Sequence, residues 1–190
     1  MIVDVVQESQ PDLAAYASIP IAFDVRDVAR IVAGPSPSGR FTIDPQPLAV
    51  PWAKNYDADG NGPTTWSSRF DLSKWTVFVA RIDGRRVGGA ASVFQAPDID
   101  MLAGRPDVAL LWDVRVTPGA RGLGVGSALL AQVEAWAVTL GATWLEVETQ
   151  DINVPACRFY AHHGFVLRAV NRHAYPELPD ETQLLWYKCL

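Results

Sequence analysis

The run 108-VALLWDVRVTPGARGLGVGSALLAQVEAWAVTLGATWLEVETQ-150 carries three patterns in succession. The apolar stretch 108-VALLWDVRV-116 reads as a strand and stops at Thr117-Pro118-Gly119. A glycine-rich turn follows. From about Leu123 to Leu140, the residues Val125, Leu129, Val133, Trp136 and Leu140 recur at steps of four, four, three and four. That spacing is one face of a helix, closed by Gly141. The last stretch, 143-TWLEVETQ-150, is a strand again. Strand, helix and strand with a short return imply a right-handed crossover and two parallel neighbours.

On either side the patterns continue. The segment 75-WTVFVARIDGRRVGGAASVF-94 is two β-rich runs around Asp83-Gly84, a hairpin signal. Downstream, 155-PACRFYAHHG-164 reads as a short helix with Asn153 as its cap, Pro155 in its first turn and Gly164 at its exit. The runs 165-FVLRAV-170 and 183-QLLWYKCL-190 close the chain as an antiparallel pair around the acidic loop 175-YPELPDE-181. The expected fold class is therefore α/β, or α+β by order. It is a mixed, mostly antiparallel central sheet flanked by helices, with one parallel, splayed strand pair.

The N-terminal third is less regular. The segment 19-IPIAFDVRDVARIV-32 alternates in part and predicts a strand. Residues 34–63 are rich in Pro, Gly, Asp and Asn, which excludes a central strand or a long helix. So long a connection is expected to be a lid or an arm, with Trp52, Tyr56 and Trp66 folding it back onto the body.

The 190 residues suit a single domain, and 49% apolar with 19% charged residues is ordinary for a globular chain. A formal charge of −5 without a basic run argues against nucleic acid as a partner. It fits a cationic substrate, but solubility explains the same number and is the commoner reason. The two cysteines, Cys157 and Cys189, have no metal-ligand spacing, so no metal is expected and both thiols are read as reduced and semi-buried. No window approaches a membrane span and the N-terminus lacks a signal pattern, so a cytoplasmic protein without membrane contact is expected.

The glycine loop admits three anions. A nucleotide P-loop needs Gly-Lys-Ser/Thr, but Gly126 is followed directly by Ser127. A dinucleotide fingerprint finds Ser127 at its third glycine and a loop too long after its strand. In the third reading, Arg121 and the N–H groups of Gly122, Leu123, Gly124, Val125, Gly126 and Ser127 wrap a pyrophosphate at a helix N-terminus. An exposed Arg beside a plain turn remains the alternative.

Arg121-x-x-Gly124-x-Gly126, between the strand LLWDVRV and an amphipathic helix, resembles the acyl-CoA pyrophosphate loop of the GNAT N-acetyltransferase superfamily. The stretch 148-ETQDINVPACRFYAHHGFVL-167 and the closing LLWYK are similar to its streptothricin-acetyltransferase-type branch. The resemblance covers about residues 75–190, which would be the acyl-CoA-binding core, and leaves 1–74 as a variable N-terminal part of one acetyltransferase domain. It implies acetyl-CoA as co-substrate. Main-chain groups of Val114, Arg115 and Val116 would pair with the pantetheine arm, with the Val114 N–H near the thioester carbonyl. Asn153 would help hold the cofactor, though it also suits an ordinary helix cap. Tyr160 would be the general acid that protonates the leaving thiolate.

A general base must deprotonate an ammonium acceptor, and Asp113 and Glu148 are the two candidates, with pairing to an Arg as the alternative for either. His162 and His163 are expected to face solvent. Cys157 lacks a His partner and suits packing better than acyl-enzyme chemistry. The acids Glu177, Asp180 and Glu181 add negative charge near the acceptor or are simply solvated. The resemblance thus implies direct acetyl transfer to a primary amine of a small molecule, with an antibiotic such as streptothricin as the named acceptor and homodimerisation left open. The rivals are a protein or peptide α-amine acceptor and an acyl-CoA-binding sensor without turnover.

Overall fold

The Asp83-Gly84 pair reverses the chain in two residues, with φ of 50° and 76° that match the twist of a tight hairpin. It lies in a computed structural model that describes residues 2–34, 41–58 and 60–190. In chain order the elements are β1 (Asp4–Glu8), α1 (Leu13–Ala17), β2 (Phe23–Ala33), β3 (Phe41–Lys54), α2 (Trp66–Arg69), β4 (Trp75–Ile82), β5 (Arg85–Phe94), β6 (Val108–Val116), α3 (Val125–Thr139), β7 (Trp144–Gln150), α4 (Val154–His162), β8 (Val166–Asn171) and β9 (Gln183–Cys189). The fold is mixed α/β as expected, with a mostly antiparallel sheet that includes the parallel pair β6–β7 and is flanked by helices. Among the described residues no helix is long and apolar enough to cross a membrane.

The chain forms two compact units, each from discontinuous stretches. The first comprises residues 1–22, 55–145 and 190. Its strands run β1-β4-β5-β6, every neighbour antiparallel. Two adjacent glycines let this sheet be covered closely on both faces. A Cβ on Gly88 would lie 2.8 Å from Val125 Cγ1 of α3, and one on Gly89 would lie 2.5 Å from Tyr16 Cε2 of α1. Helix α3 buries Val125, Leu129, Leu130, Val133 and Ala137. The expected stripe through Trp136 and Leu140 is thus corrected at its end. Trp136 is half-buried, and Leu140 is the C-cap and 48% exposed, because the helix stops in a Schellman turn. That turn is made by Ala142 N–H to Ala137 O and Gly141 N–H to Val138 O.

The second unit comprises residues 23–54 and 146–189. Strands β8 and β9 pair antiparallel, and β2 and β3 form a separate two-stranded ribbon. This corrects the expectation of a strandless connection over 34–63, since residues 41–54 are strand β3; residues 35–40 and 59 lie outside the described residues. The reason prolines are tolerated here is directional. Ala29 donates its N–H to the Asp151 carbonyl (2.8 Å), so that N–H points away from β3. In an antiparallel ladder both members of such a pair face outward. Pro45 is the partner of Ala29, and Pro47 is the partner of Asp27, two residues away. Both proline nitrogens therefore fall on the side of β3 away from β2, and no ladder bond is lost. Trp52, on β3, is 44% exposed rather than folded back, whereas Trp66 is buried in the first unit.

Candidate functional site

In the first unit the strand preceding the glycine loop is irregular at one place. Ala91 pairs with Asp113 but Ser92 pairs with Leu111, so Trp112 is an extra residue, a β-bulge in β6. The bulge fixes where the next side chains point. Asp113 and Arg115 lie on the face that carries Tyr16, and they form a buried network with it. Arg115 Nε and Nη2 donate to Asp113 Oδ1 and Oδ2 (2.9 and 2.8 Å), and its Nη1 and Nη2 donate to Asp57 Oδ2 and Oδ1 (2.8 and 3.0 Å). Nη1 also donates to the Ile19 carbonyl (3.3 Å), so all five guanidinium N–H groups are used. The Tyr16 hydroxyl donates to Asp113 Oδ1 (2.7 Å), and the guanidinium carbon stands 5.4 Å from the Tyr16 ring centre. Burial works against the Arg115 charge, but the hydrogen bonds it donates to Asp113 and Asp57 outweigh it and hold the group fully protonated.

This geometry bears on two expected residues. The Asp113 side chain is 8% exposed and both its oxygens are engaged, so it is an ion-pair partner in this structure rather than a carboxylate facing an acceptor. The Arg115 side chain belongs to the same network, leaving only its main chain for any other role. Asp57 and Tyr16 were not foreseen. They stand 58 and 99 positions from Arg115, and no periodicity links them.

The direction of the β6 main chain follows from one hydrogen bond. Thr117 donates to the Val87 carbonyl (2.8 Å), so the Thr117 N–H points toward β5. Alternation then turns the N–H groups of Val114 and Val116 away from β5. The Val116 carbonyl agrees, since it accepts from Arg121 Nε at 3.0 Å. Arg121 Nη2 also donates to the Ala22 carbonyl (2.9 Å), so its exposed guanidinium ties the loop to the end of the α1 segment. After a 3₁₀ turn at Pro118–Ala120, Gly122 and Gly124 take φ of 77° and 82°. Among the described residues a Cβ at either would meet nothing within 4 Å, so the space beside the loop is open. Gly124 is the N-cap of α3 and no side chain caps this helix. Its first-turn donors on Val125 and Gly126 have no intrahelical acceptor. An open left-handed turn on an uncapped helix N-terminus fits the pyrophosphate of a coenzyme A substrate.

In the second unit, Asn153 caps α4, its Oδ1 accepting from Ala156 N–H at 3.2 Å. Tyr160 sits seven residues on, 3% exposed, and the exit of the helix fixes it. Phe165 N–H donates to the Tyr160 carbonyl (3.0 Å), Gly164 N–H to that of Ala161 (3.2 Å), and the Tyr160 and Phe165 rings meet edge-on at 5.3 Å. The Gly-Phe exit is thus a second Schellman turn, with its apolar contact made by Tyr160 itself. Glu148 is half-buried and accepts from three neutral donors. Tyr175 OH and Gln150 Nε2 reach Oε1 (2.5 and 3.1 Å), and Gln183 Nε2 reaches Oε2 (2.6 Å). The Tyr175 and Gln183 contributions were not foreseen. Lys54 and Glu181 form a buried ion pair, so Glu181 is not solvated as an isolated loop acid would be. His162 is exposed, but His163 is half-buried against Phe159, 2.8 Å from its carbonyl. Cys157 is fully buried, and burial pushes its thiol up to about 11, while Cys189 is exposed.

Residues 47–165, more than half the chain, match the family model described as Acetyltransferase (GNAT) family. The chain belongs to the GNAT acetyltransferase family. Among curated members, streptothricin acetyltransferase A of Bacillus subtilis (strain 168) is 42% identical over 81 residues, which are 42% of this chain and 47% of that protein. Streptothricin acetyltransferase of Escherichia coli is 34% identical over 84 residues, 43% of this chain and 48% of that one. The matched stretch therefore spans about half the length of these two GNAT relatives. The Streptomyces lavendulae streptothricin acetyltransferase matches more widely but less closely, at 26% over 148 residues, 77% of this chain and 74% of that protein. Two solved structures share the fold along the whole chain. A nourseothricin acetyltransferase gives a TM-score of 0.76 at 24% identity, covering 98% of both chains. A Bacillus anthracis str. Ames protein, described as a candidate streptothricin acetyltransferase and solved with acetyl coenzyme A, gives 0.80 at 21% identity and full coverage of both.

Proposed function

We propose that this GNAT chain acts as one cytoplasmic acetyltransferase domain that moves the acetyl group of acetyl-CoA directly to a primary amine of a small molecule, with a streptothricin-class antibiotic as the acceptor. The observation that carries the co-substrate is the glycine loop: two left-handed glycines with open space beside them, on a helix N-terminus that no side chain caps. The names of the curated relatives supply the acceptor class.

The roles follow from what thioester aminolysis requires. Arg121 shapes the loop through its carbonyl contacts, and the N–H groups of Gly122, Gly124, Val125 and Gly126 take the pyrophosphate, while that of Leu123 donates to the Ala120 carbonyl (3.4 Å). The outward Val114 N–H is oriented to stabilise the oxyanion that forms when the amine attacks, with Val116 pairing beside it along the pantetheine arm. Glu148 serves as general base, because the three groups that donate to it are neutral rather than an ion-pair partner. Asp113 is assigned to the Arg115 ion pair instead. Tyr160 gives its proton to the departing thiolate as the tetrahedral intermediate collapses, and Asn153 orders the start of its helix. A thiol held protonated by burial makes Cys157 unsuited to an acyl-enzyme.

The test is release of coenzyme A thiol from acetyl-CoA with streptothricin, polyamines, amino acids and N-terminal peptides offered separately. Rapid release with streptothricin and formation of a mono-acetylated product support the reading. Turnover only with peptides would replace the acceptor. Tight binding of acetyl-CoA without thiol release to any amine would make the chain a sensor.

A further inference from the structure

The second unit spends several unusual contacts on the loop 172–182 between β8 and β9. At its end, Thr182 N–H donates to Asp151 Oδ1 (2.9 Å) and Asp151 N–H returns a bond to the Thr182 carbonyl (3.0 Å). Beside them Lys54 Nζ meets Glu181 Oε1 at 2.5 Å, with both side chains about nine-tenths buried. Burying such a pair sacrifices the hydration of two ions, and an apolar pair would hold the strand and loop at least as firmly. What the ion pair adds is a defined position. Inside the loop, Leu178 N–H donates to the Tyr175 carbonyl and Glu181 N–H to that of Leu178, both at 3.0 Å, so the path from the anchor back to Tyr175 is tightly turned.

The residue so placed is the one that touches Glu148. The Tyr175 hydroxyl accepts from Gln150 Nε2 at 2.8 Å, and this leaves its own proton directed at Glu148 Oε1. Gln150 itself reaches the same oxygen, and Gln183 holds the other. The three donors come from β7, β9 and the loop, and of the three only Tyr175 titrates. The charged groups at the foot of the loop, Lys54, Glu181 and Asp151, are engaged with one another or with backbone.

We propose that Tyr175 is a positioning residue for Glu148: its hydroxyl, oriented by Gln150 and held in place by the anchored loop, fixes the orientation of the carboxylate. The proposal rests on the reading of Glu148 as general base. It assigns to the β8–β9 loop a part in catalysis through Glu148, without contact to the reacting atoms.

The test uses Tyr175→Phe, which keeps the ring and removes only the hydroxyl. With acetyl-CoA and streptothricin, kcat is expected to fall several-fold while KM for acetyl-CoA stays the same. Because Tyr175 acts through Glu148, Tyr175→Phe added to Glu148→Gln should lower kcat no further than Glu148→Gln alone. An unchanged kcat in Tyr175→Phe, or an equal fall in the Glu148→Gln background, overturns the proposal. Full kcat in Glu148→Gln alone overturns instead the role of Glu148 as base.

Discussion

Replacing Gly124 by Ala separates backbone strain from loss of a ligand site, because helix α3 carries a matching glycine at its other end. Gly124 has φ of 82° and Gly141 has 85°, and among the described residues an added Cβ would meet no atom within 4 Å at either. The cost to stability at both positions is therefore only the left-handed backbone, about 1–2 kcal/mol for an L-residue. For a chain of this size that corresponds to a fall in Tm of about 2–8 °C. Strain present equally in the empty and loaded protein cancels from the affinity. What remains at Gly124 is the methyl group itself, set in the space assigned to the pyrophosphate. Displacing that anion from the helix donors forfeits up to about 2 kcal/mol per favourable charge, so Kd for acetyl-CoA should weaken about tenfold or more. Gly141→Ala should lower Tm by the same amount and leave Kd unchanged. Titration calorimetry with acetyl-CoA, beside thermal unfolding of both variants, reads the two effects. Equal affinity in Gly124→Ala and the native chain would refute the phosphate assignment, and equal loss in both variants would reduce it to helix stability.

Tyr160→Phe should lower kcat by about 10²-fold or more with little change in acetyl-CoA affinity; full activity in single-turnover experiments would remove it as the acid. Arg115→Met strands two carboxylates, one of them nearly buried, and should cost about 3–5 kcal/mol, read as a large drop in Tm. Arg115→Lys should recover little of this, since three ammonium donors cannot replace a five-donor fork, and full recovery would argue against that network. Because burial raises the Cys157 thiol to about 11, only about one molecule in a thousand carries its thiolate at pH 8. A maleimide should therefore label Cys189 and spare Cys157 until the protein unfolds, and Cys157→Ser should retain activity.

The elements between residues 75 and 190 were legible because each repeats a simple period and is bounded by glycine or proline. The hairpin turn, β6 and the two helix exits fall where those signals stand. The five-residue helix α1 and the strand β1 are too short to show a period. Strand β3 was hidden for a different reason. Proline counts against a strand only when its missing donor faces the partner, and that direction depends on the pairing with β2. The bulge at Trp112 likewise exists only in the register of two strands. Within the candidate site, the glycine loop, Asn153 and Tyr160 announce themselves locally. The groups that engage Asp113 and Glu148 are Arg115, Tyr16, Gln150, Tyr175 and Gln183, and all but Arg115 and Gln150 lie more than 20 residues from the carboxylate they meet. Alternation along β6 and β7 brings each carboxylate to view, but only the folded chain shows that one is paired with an arginine and the other is held by neutral groups.

The placement of Pro45 and Pro47 has a consequence for how copies of this molecule behave in a crowded solution. A ribbon of 11 and 14 residues offers a long outer margin that can template a passing extended peptide or a second copy. On the β3 side, two successive outward positions have no hydrogen to give. An incoming strand would find acceptors there without the donors that must alternate with them, and its own carbonyls would be stripped of water for nothing. The same residues that make this segment look unlike a strand keep it from recruiting another. Exchanging both for valine should leave the ribbon paired as it is and make the protein prone to self-association.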